Sequence, residues 1–270
     1  MLPCGVRFRL AVLALLLLPV SALAQDQLSE ARRLYNAQQY EAAERAARAA
    51  VAQARTSNSA RVVLARVLLE RYRAASSVAL LSEARETLRS VNPAPLDPRE
   101  RVELILGFGQ GLFLEDRFAA AANVFEPIIS SAALLGAPAY DRALDWWATA
   151  LDRHAATRPF GDRPAIYARI TERMKTELIR EPASGPANYW LVAAAQGSGD
   201  LDTAWIMAQA SWIRAGLGST PAAQTRAEID RVVIEGIVPA RAARITGRDS
   251  NLVIAGMVGE WEAFKTAWAR

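Results

Sequence analysis

The sequence predicts an all-α fold, and three observations predict it. Apolar residues recur at spacings of three and four in segment after segment, with little of the alternation that marks strands. Helix starts are signalled by a capping residue followed by proline. In Asp97-Pro98-Arg99-Glu100 the Glu also lies three residues after the cap, and Thr220-Pro221 repeats the device. Helix-breaking clusters separate the periodic segments: Val91-Asn92-Pro93-Ala94-Pro95, Gly136-Ala137-Pro138, Glu181-Pro182-Ala183-Ser184-Gly185-Pro186 and residues 216–221. Val232-Val233-Ile234 has the composition of a strand but sits inside a helical pattern, so it too reads as helix.

The chain opens on a segment of another kind. Arg7 and Arg9 precede the apolar run Leu10 to Leu18, and Ala22-Leu23-Ala24 supplies small residues before Gln25, the pattern of a cleaved export leader. The run is short for a membrane span and Pro19 interrupts it, so no span is expected once residues 1–24 are removed. Cys4, the only cysteine, lies before the apolar run and is lost with it. The mature chain then has no thiol to lipidate or oxidise and is held by packing alone. The expected location is the periplasm or the exterior of a bacterial cell.

Five helix pairs are expected over residues 25–220. The first joins Ala31-Arg32-Arg33-Leu34-Tyr35 to a helix with Tyr40, Ala43, Ala47 and Ala50. The second pairs residues 59–73 with a helix carrying Leu81, Ala84, Leu88 and Val91. In the third, Ile105 to Leu112 turns at Glu115-Asp116-Arg117 into Phe118, Ala121, Phe125 and Ile128. The fourth pairs 140–155 with 166–180 across Pro159, Gly161 and Pro164, and the fifth pairs 189–196 with 201–215 across Gly197-Ser198-Gly199-Asp200. Residues 221–270 form a C-terminal cap: one helix over 222–238 stopped by Pro239, then a terminal helix whose Met257, Trp261, Phe264 and Trp268 make one apolar stripe.

The first and third pairs resemble tetratricopeptide repeats, in which a small and a bulky residue on one helix meet an aromatic and small residues on the next. Ala31 precedes Tyr40 by nine residues, and Gly109 precedes Phe118 by the same nine. Landmark alanines at 43, 84, 121 and 204 stand further apart than the ~34-residue unit, which implies longer helices or loops. The resemblance implies a right-handed superhelical solenoid whose first helices line a concave groove. It implies groove-facing positions at Arg32 and Tyr35, Arg66 and Glu70, Gln110 and Phe113, Arg142, Asp145 and Thr149, and Tyr189. Where members that grip a terminal carboxylate carry Lys and Asn, this chain has Leu28 and Arg32, so that form of recognition is not expected.

Composition excludes several function classes. One His and one Cys rule out zinc fingers, Cys/His cages and disulfide scaffolds. Only Lys175 and Lys265 are lysines, and the arginines are interleaved with acids, as in Glu41-Glu44-Arg45-Arg48 and Arg169-Glu172-Arg173. Such spacing reads as paired, solvated helix surface rather than the clustered footprint nucleic acid requires. Arg7 and Arg9 are the only charges of the leader, so its removal lowers the net charge from +4 to +2.

Catalytic motifs are scarce. Gly107-Phe108-Gly109-Gln110-Gly111 lacks dinucleotide-loop spacing and reads as close helix packing, and Gly197-Ser198-Gly199 reads as a turn. His154 falls in the last turn of a helix, where a cation suits the dipole. Asp141, Asp145 and Asp152 share a helix face, with Arg142 and Arg153 placed to pair them. All seven Trp lie from Trp146 onward and read chiefly as packing between long helices. No cofactor or metal is expected. The expected function is a non-catalytic scaffold of the bacterial envelope that binds a peptide or protein segment in its groove. A component of envelope or appendage assembly is one alternative, and a protein that binds or cleaves cell-wall glycan is another.

Overall fold

The computed structural model of the chain describes residues 20–217 and 222–268. Those residues form thirteen α-helices with short 3-10 and π segments and no strand, so the chain is all-helical as expected. It divides between Leu96 and Asp97 into two compact units. The leader pattern falls mostly on residues 1–19, outside the described residues, as does Thr220-Pro221.

The first unit holds α1 (Val20–Asn36), α2 (Tyr40–Val51), α3 (Ser57–Ala75) and α4 (Val78–Arg89). Each helix packs on the next, and α1 also touches α3. Ala43, Ala46, Ala47 and Ala50 make one buried face of α2, where side chains of a single methyl let neighbouring helices approach closely. The expected surface pairing is present in part: Glu44 accepts from both Arg48 and Arg71, and Arg48 also reaches Glu83 at 2.7 Å.

The second unit begins with α5 (Pro98–Leu114). Its start is the expected capping box: Asp97 accepts from the Glu100 amide at 2.8 Å, and Glu100 accepts from the Asp97 amide at 3.2 Å. It continues with α6 (Phe118–Phe125), two 3-10 turns, α7 (Ala137–Ala156), α8 (Arg163–Arg180), α9 (Gly185–Ser198) and α10 (Leu201–Ala215). Next come α11 (Ala222–Arg231), a π segment (Val232–Ile237), α12 (Val238–Ala242) and α13 (Ser250–Ala267). The first helices of successive pairs touch, α5 with α7 and α7 with α9, and α9 touches α11 in turn.

One turn recurs between the two helices of a pair. Gln39 donates to the Leu34 carbonyl at 2.9 Å, Arg117 to Leu112 at 2.9 Å and Asp200 to Ala195 at 3.0 Å. Each bond closes over a left-handed residue, Gln38, Asp116 and Gly199, and a second bond runs from that residue back three positions. This is the Schellman ending that satisfies the last carbonyls of a helix. The nine-residue spacing therefore has a third instance, Val192 to Leu201, with the same buried small-residue positions at Ala43, Ala121 and Ala204.

Gly109 confirms the close-packing reading of the Gly-rich run, since a Cβ there would overlap the Phe125 ring. Gly197 is likewise pressed against Tyr167; it lies inside α9, and only Gly199 forms the turn. Two expectations need correction. The second helix of the third pair stops at Phe125, and Ile128 sits in a 3-10 turn containing Pro127. Pro239 does not stop its helix. The proline lacks an amide and its ring displaces the carbonyl four residues back. The chain absorbs this by widening into the π segment, where Val238 donates to Val233, and helix resumes to Ala242.

The terminal stripe docks through its middle. Trp261 is fully buried, 5.6 Å from the Trp212 ring, 5.9 Å from Trp205 and stacked on Phe264 at 5.5 Å. Its indole donates to Asp230 at 2.8 Å, and Lys265 donates to the same oxygen at 2.6 Å. Met257 and Phe264 pack partly against this core, while Trp268 is exposed.

Candidate functional site

The ten groove positions fall in two sets, one in each unit. In the first unit, Tyr35 of α1 and Arg66 of α3 come together. Arg66 donates to the Tyr35 hydroxyl at 3.1 Å, and its guanidinium also lies 4.7 Å from the Tyr35 ring centroid. Glu70, one turn further along α3, accepts from Arg73 at 2.7 Å, and Arg32 is half-buried on α1. The Tyr35–Arg66 contact follows from α1 packing against α3.

In the second unit, Gln110 is buried at 7% exposure and its Oε1 has no hydrogen-bond partner among the described residues. Phe113 is half-buried, edge-on to Trp146 at 4.8 Å and to Phe118 at 5.2 Å. Trp146 and Trp147 point apart, as adjacent helical residues must: Trp147 fills the core, and Trp146 lies against Phe113 and Phe125.

Arg142, Asp145 and Tyr189 meet around a concavity of about 320 Å³, and Thr149 lies one turn beyond Asp145 on α7. Its walls are Pro138, Asp141, Arg142 and Asp145 of α7, Gly185, Pro186 and Tyr189 of α9, and Gln224, Thr225 and Glu228 of α11. Of these helices α7 and α9 are the first members of successive pairs and α11 follows the fifth pair, while Ala215 at the end of α10 also reaches the wall. Positions spaced by four on α7 place Asp141 and Asp145 on one side. Ser184 caps α9 by accepting from the Ala187 amide at 3.4 Å, and that start sets Pro186 and Tyr189 opposite.

Two of the three acids on this α7 face, Asp145 and Asp152, are held by aromatic donors and not by the neighbouring arginines. Trp190 Nε1 donates to Asp145 at 2.8 Å, and the Tyr167 hydroxyl donates to Asp152 at 2.8 Å. The expected pairing of this face by Arg142 and Arg153 is absent among the described residues, because the partners that reach these carboxylates come from α8 and α9. Asp145 is exposed as a residue, while the lining of the concavity crowds its carboxyl. Burial therefore raises its pKa, Trp190 lowers it and Glu228 raises it further. Asp141 is also raised, by burial first and then by Glu177, against the lowering effect of Arg180 and Arg142. Burial raises the Tyr189 hydroxyl as well, with Asp152, Glu228 and Asp145 adding to it.

Gln224, Thr225 and Glu228 did not figure among the sequence candidates, because 221–270 read as a cap. Their helical spacing one pair beyond Tyr189 is the signal that could have found them. His154 lies in the last turn of α7, as its sequence position implied. Among the described residues, no group of His, Cys, Asp and Glu is placed to hold a metal ion, and no helix is long and apolar enough to cross a membrane. No family model, curated protein or solved structure matches this chain.

Proposed function

We propose that the protein is a non-catalytic interaction scaffold of the bacterial envelope, a tetratricopeptide-like right-handed solenoid that binds a peptide or protein segment along its first helices. The observation that carries this reading is the cavity shared by α7, α9 and α11. The first helices of the fourth and fifth pairs and the helix that follows them converge on it, and its lining mixes acids, one arginine, a tyrosine and two prolines. The repeated Schellman turn and the contacts between successive first helices support the repeat architecture. The leader pattern in residues 1–24 supports export, and assembly of an envelope structure or appendage is a setting in which such a scaffold would act.

Photo-crosslinking tests the reading. A crosslinking residue placed at Tyr35 or Tyr189, on first helices, is expected to capture a protein partner in cells. The same residue at Ile179 of α8 or Ile206 of α10, both exposed on second helices, is expected to capture none. Capture from the second helices alone would refute the groove.

A second reading has one observation in its favour. Asp145 carries a raised pKa in a cavity that also holds Asp141 and Glu228, and acid pairs with separated environments cleave glycosidic bonds. Incubation with purified peptidoglycan decides it: soluble fragments that disappear with Asp145→Asn would make the protein a glycan-cleaving enzyme.

A further inference from the structure

We propose that the cavity between α7, α9 and α11 is a socket for one arginine or lysine side chain, carried by the bound segment; this rests on the scaffold reading above. The first ground is charge. Asp141, Asp145 and Glu228 share the lining with a single arginine, Arg142, and among the described residues none of these three acids forms an ion pair. Elsewhere in the same unit acids are matched to cations, Glu126 by Arg169, Glu177 by Arg180 and Asp230 by Lys265. Asp145 receives one hydrogen bond, from Trp190, and Glu228 one, from Gln224 at 3.2 Å. Three carboxylates gathered around one concavity repel one another, and an incoming cation relieves that repulsion.

The remaining lining suits the stem as well as the head of such a side chain. Pro138 and Pro186 offer rigid apolar walls for methylene groups, which long cationic side chains cover readily. The Tyr189 hydroxyl has no hydrogen-bond partner among the described residues, so its oxygen is open to a guanidinium or ammonium N–H. Its ring offers a face for cation–π contact. Arg142 is exposed beside Asp141 and makes no hydrogen bond to described protein, which leaves it for a carbonyl or carboxylate of the same segment. At about 320 Å³ the space stands at the small end of ligand pockets, the size for one side chain rather than a folded element.

The test uses the full chain on arrays of random dodecapeptides with a fixed central Arg, Lys, Glu or norleucine, beside calorimetric titration with agmatine and spermidine. Arg- and Lys-centred peptides are expected to be retained about tenfold more strongly than norleucine-centred ones, the margin of one charge-assisted contact. The double variant Asp145→Asn, Glu228→Gln should abolish that margin. Asp202→Asn, on the exposed surface of α10, should leave it intact and so report on folding. Peptides that bind with no preference for a basic centre, or a preference that survives the double variant, would overturn the socket while leaving the scaffold standing. Binding of the free amines without any peptide would overturn both the scaffold and the segment-borne cation. Retention of no probe at all would also overturn both.

Discussion

The Trp190 indole donates a hydrogen bond to Asp145 over 2.8 Å, tying the first helix of the fourth pair to the first helix of the fifth. The bond spans 45 residues and places the Asp145 carboxylate on the lining of a cavity that Glu228 also lines. It therefore joins packing and site in one contact. Asp145 is held for its position at some cost to its charge.

That cost has a sign. The folded-state pKa of Asp145 is raised by burial and by Glu228, so its contribution to stability is greatest when the carboxyl is protonated and is lost as pH rises through the folded value. Asparagine keeps the acceptor for Trp190 and does not titrate. Asp145→Asn should melt above the wild type at pH 8, with the difference closing as pH falls towards the ordinary Asp value of about 3.9. Thermal melts of both proteins across that range check it; a difference that widens on acidification would reverse the account.

At Gly109 the Phe125 ring of α6 packs directly on the α5 backbone. Gly109→Ala drives a methyl into the Phe125 ring and should cost about 1–3 kcal/mol by urea denaturation, the usual penalty of overpacking. Gly256 is the control. It lies inside α13 with open space around it, so Gly256→Ala should stabilise by roughly 0.5–1 kcal/mol through helix propensity.

Trp261 anchors the terminal helix. Trp261→Ala removes a fully buried side chain and the donor to Asp230, and should cost about 3–5 kcal/mol. Limited proteolysis should then cut between α12 and α13 faster than in the wild type, because Trp261 is the buried residue of α13.

The α5 cap is a separable element. Asp97→Ala removes the acceptor for the Glu100 amide and should lower stability by about 1 kcal/mol. Asp97→Asn should restore most of it, since the amide oxygen caps as well; equal losses in the two variants would place the effect elsewhere.

Much of this fold was legible in the chain because its signals are local. The cap at Asp97, the breaks at Pro93 and Pro182 and the nine-residue spacing from Ala31 to Tyr40 depend on neighbours only, and the helices lie where these place them. The third instance of that spacing, Val192 to Leu201, escaped notice because Val and Leu stand where Ala and Tyr stand in the first. Pro239 misled because a π turn can accommodate a proline without ending the helix, and no residue announces such a turn in advance. The site was half legible. Arg142, Asp145 and Tyr189 came from the repeat resemblance and do meet. Glu228 did not, since its approach to Asp145 depends on how α11 packs against α9. Choosing Trp190 over Arg142 as the partner of Asp145 is likewise a tertiary decision, invisible in a pattern of charges along one helix.

The central claim is that the first helices bear the binding face. Hydrogen exchange of the full chain with and without its best-retained peptide measures this directly. The account predicts slowed exchange in α7, α9 and α11 around Asp145, Tyr189 and Glu228, with α8 and α10 unchanged. Protection confined to α8 and α10 would contradict it.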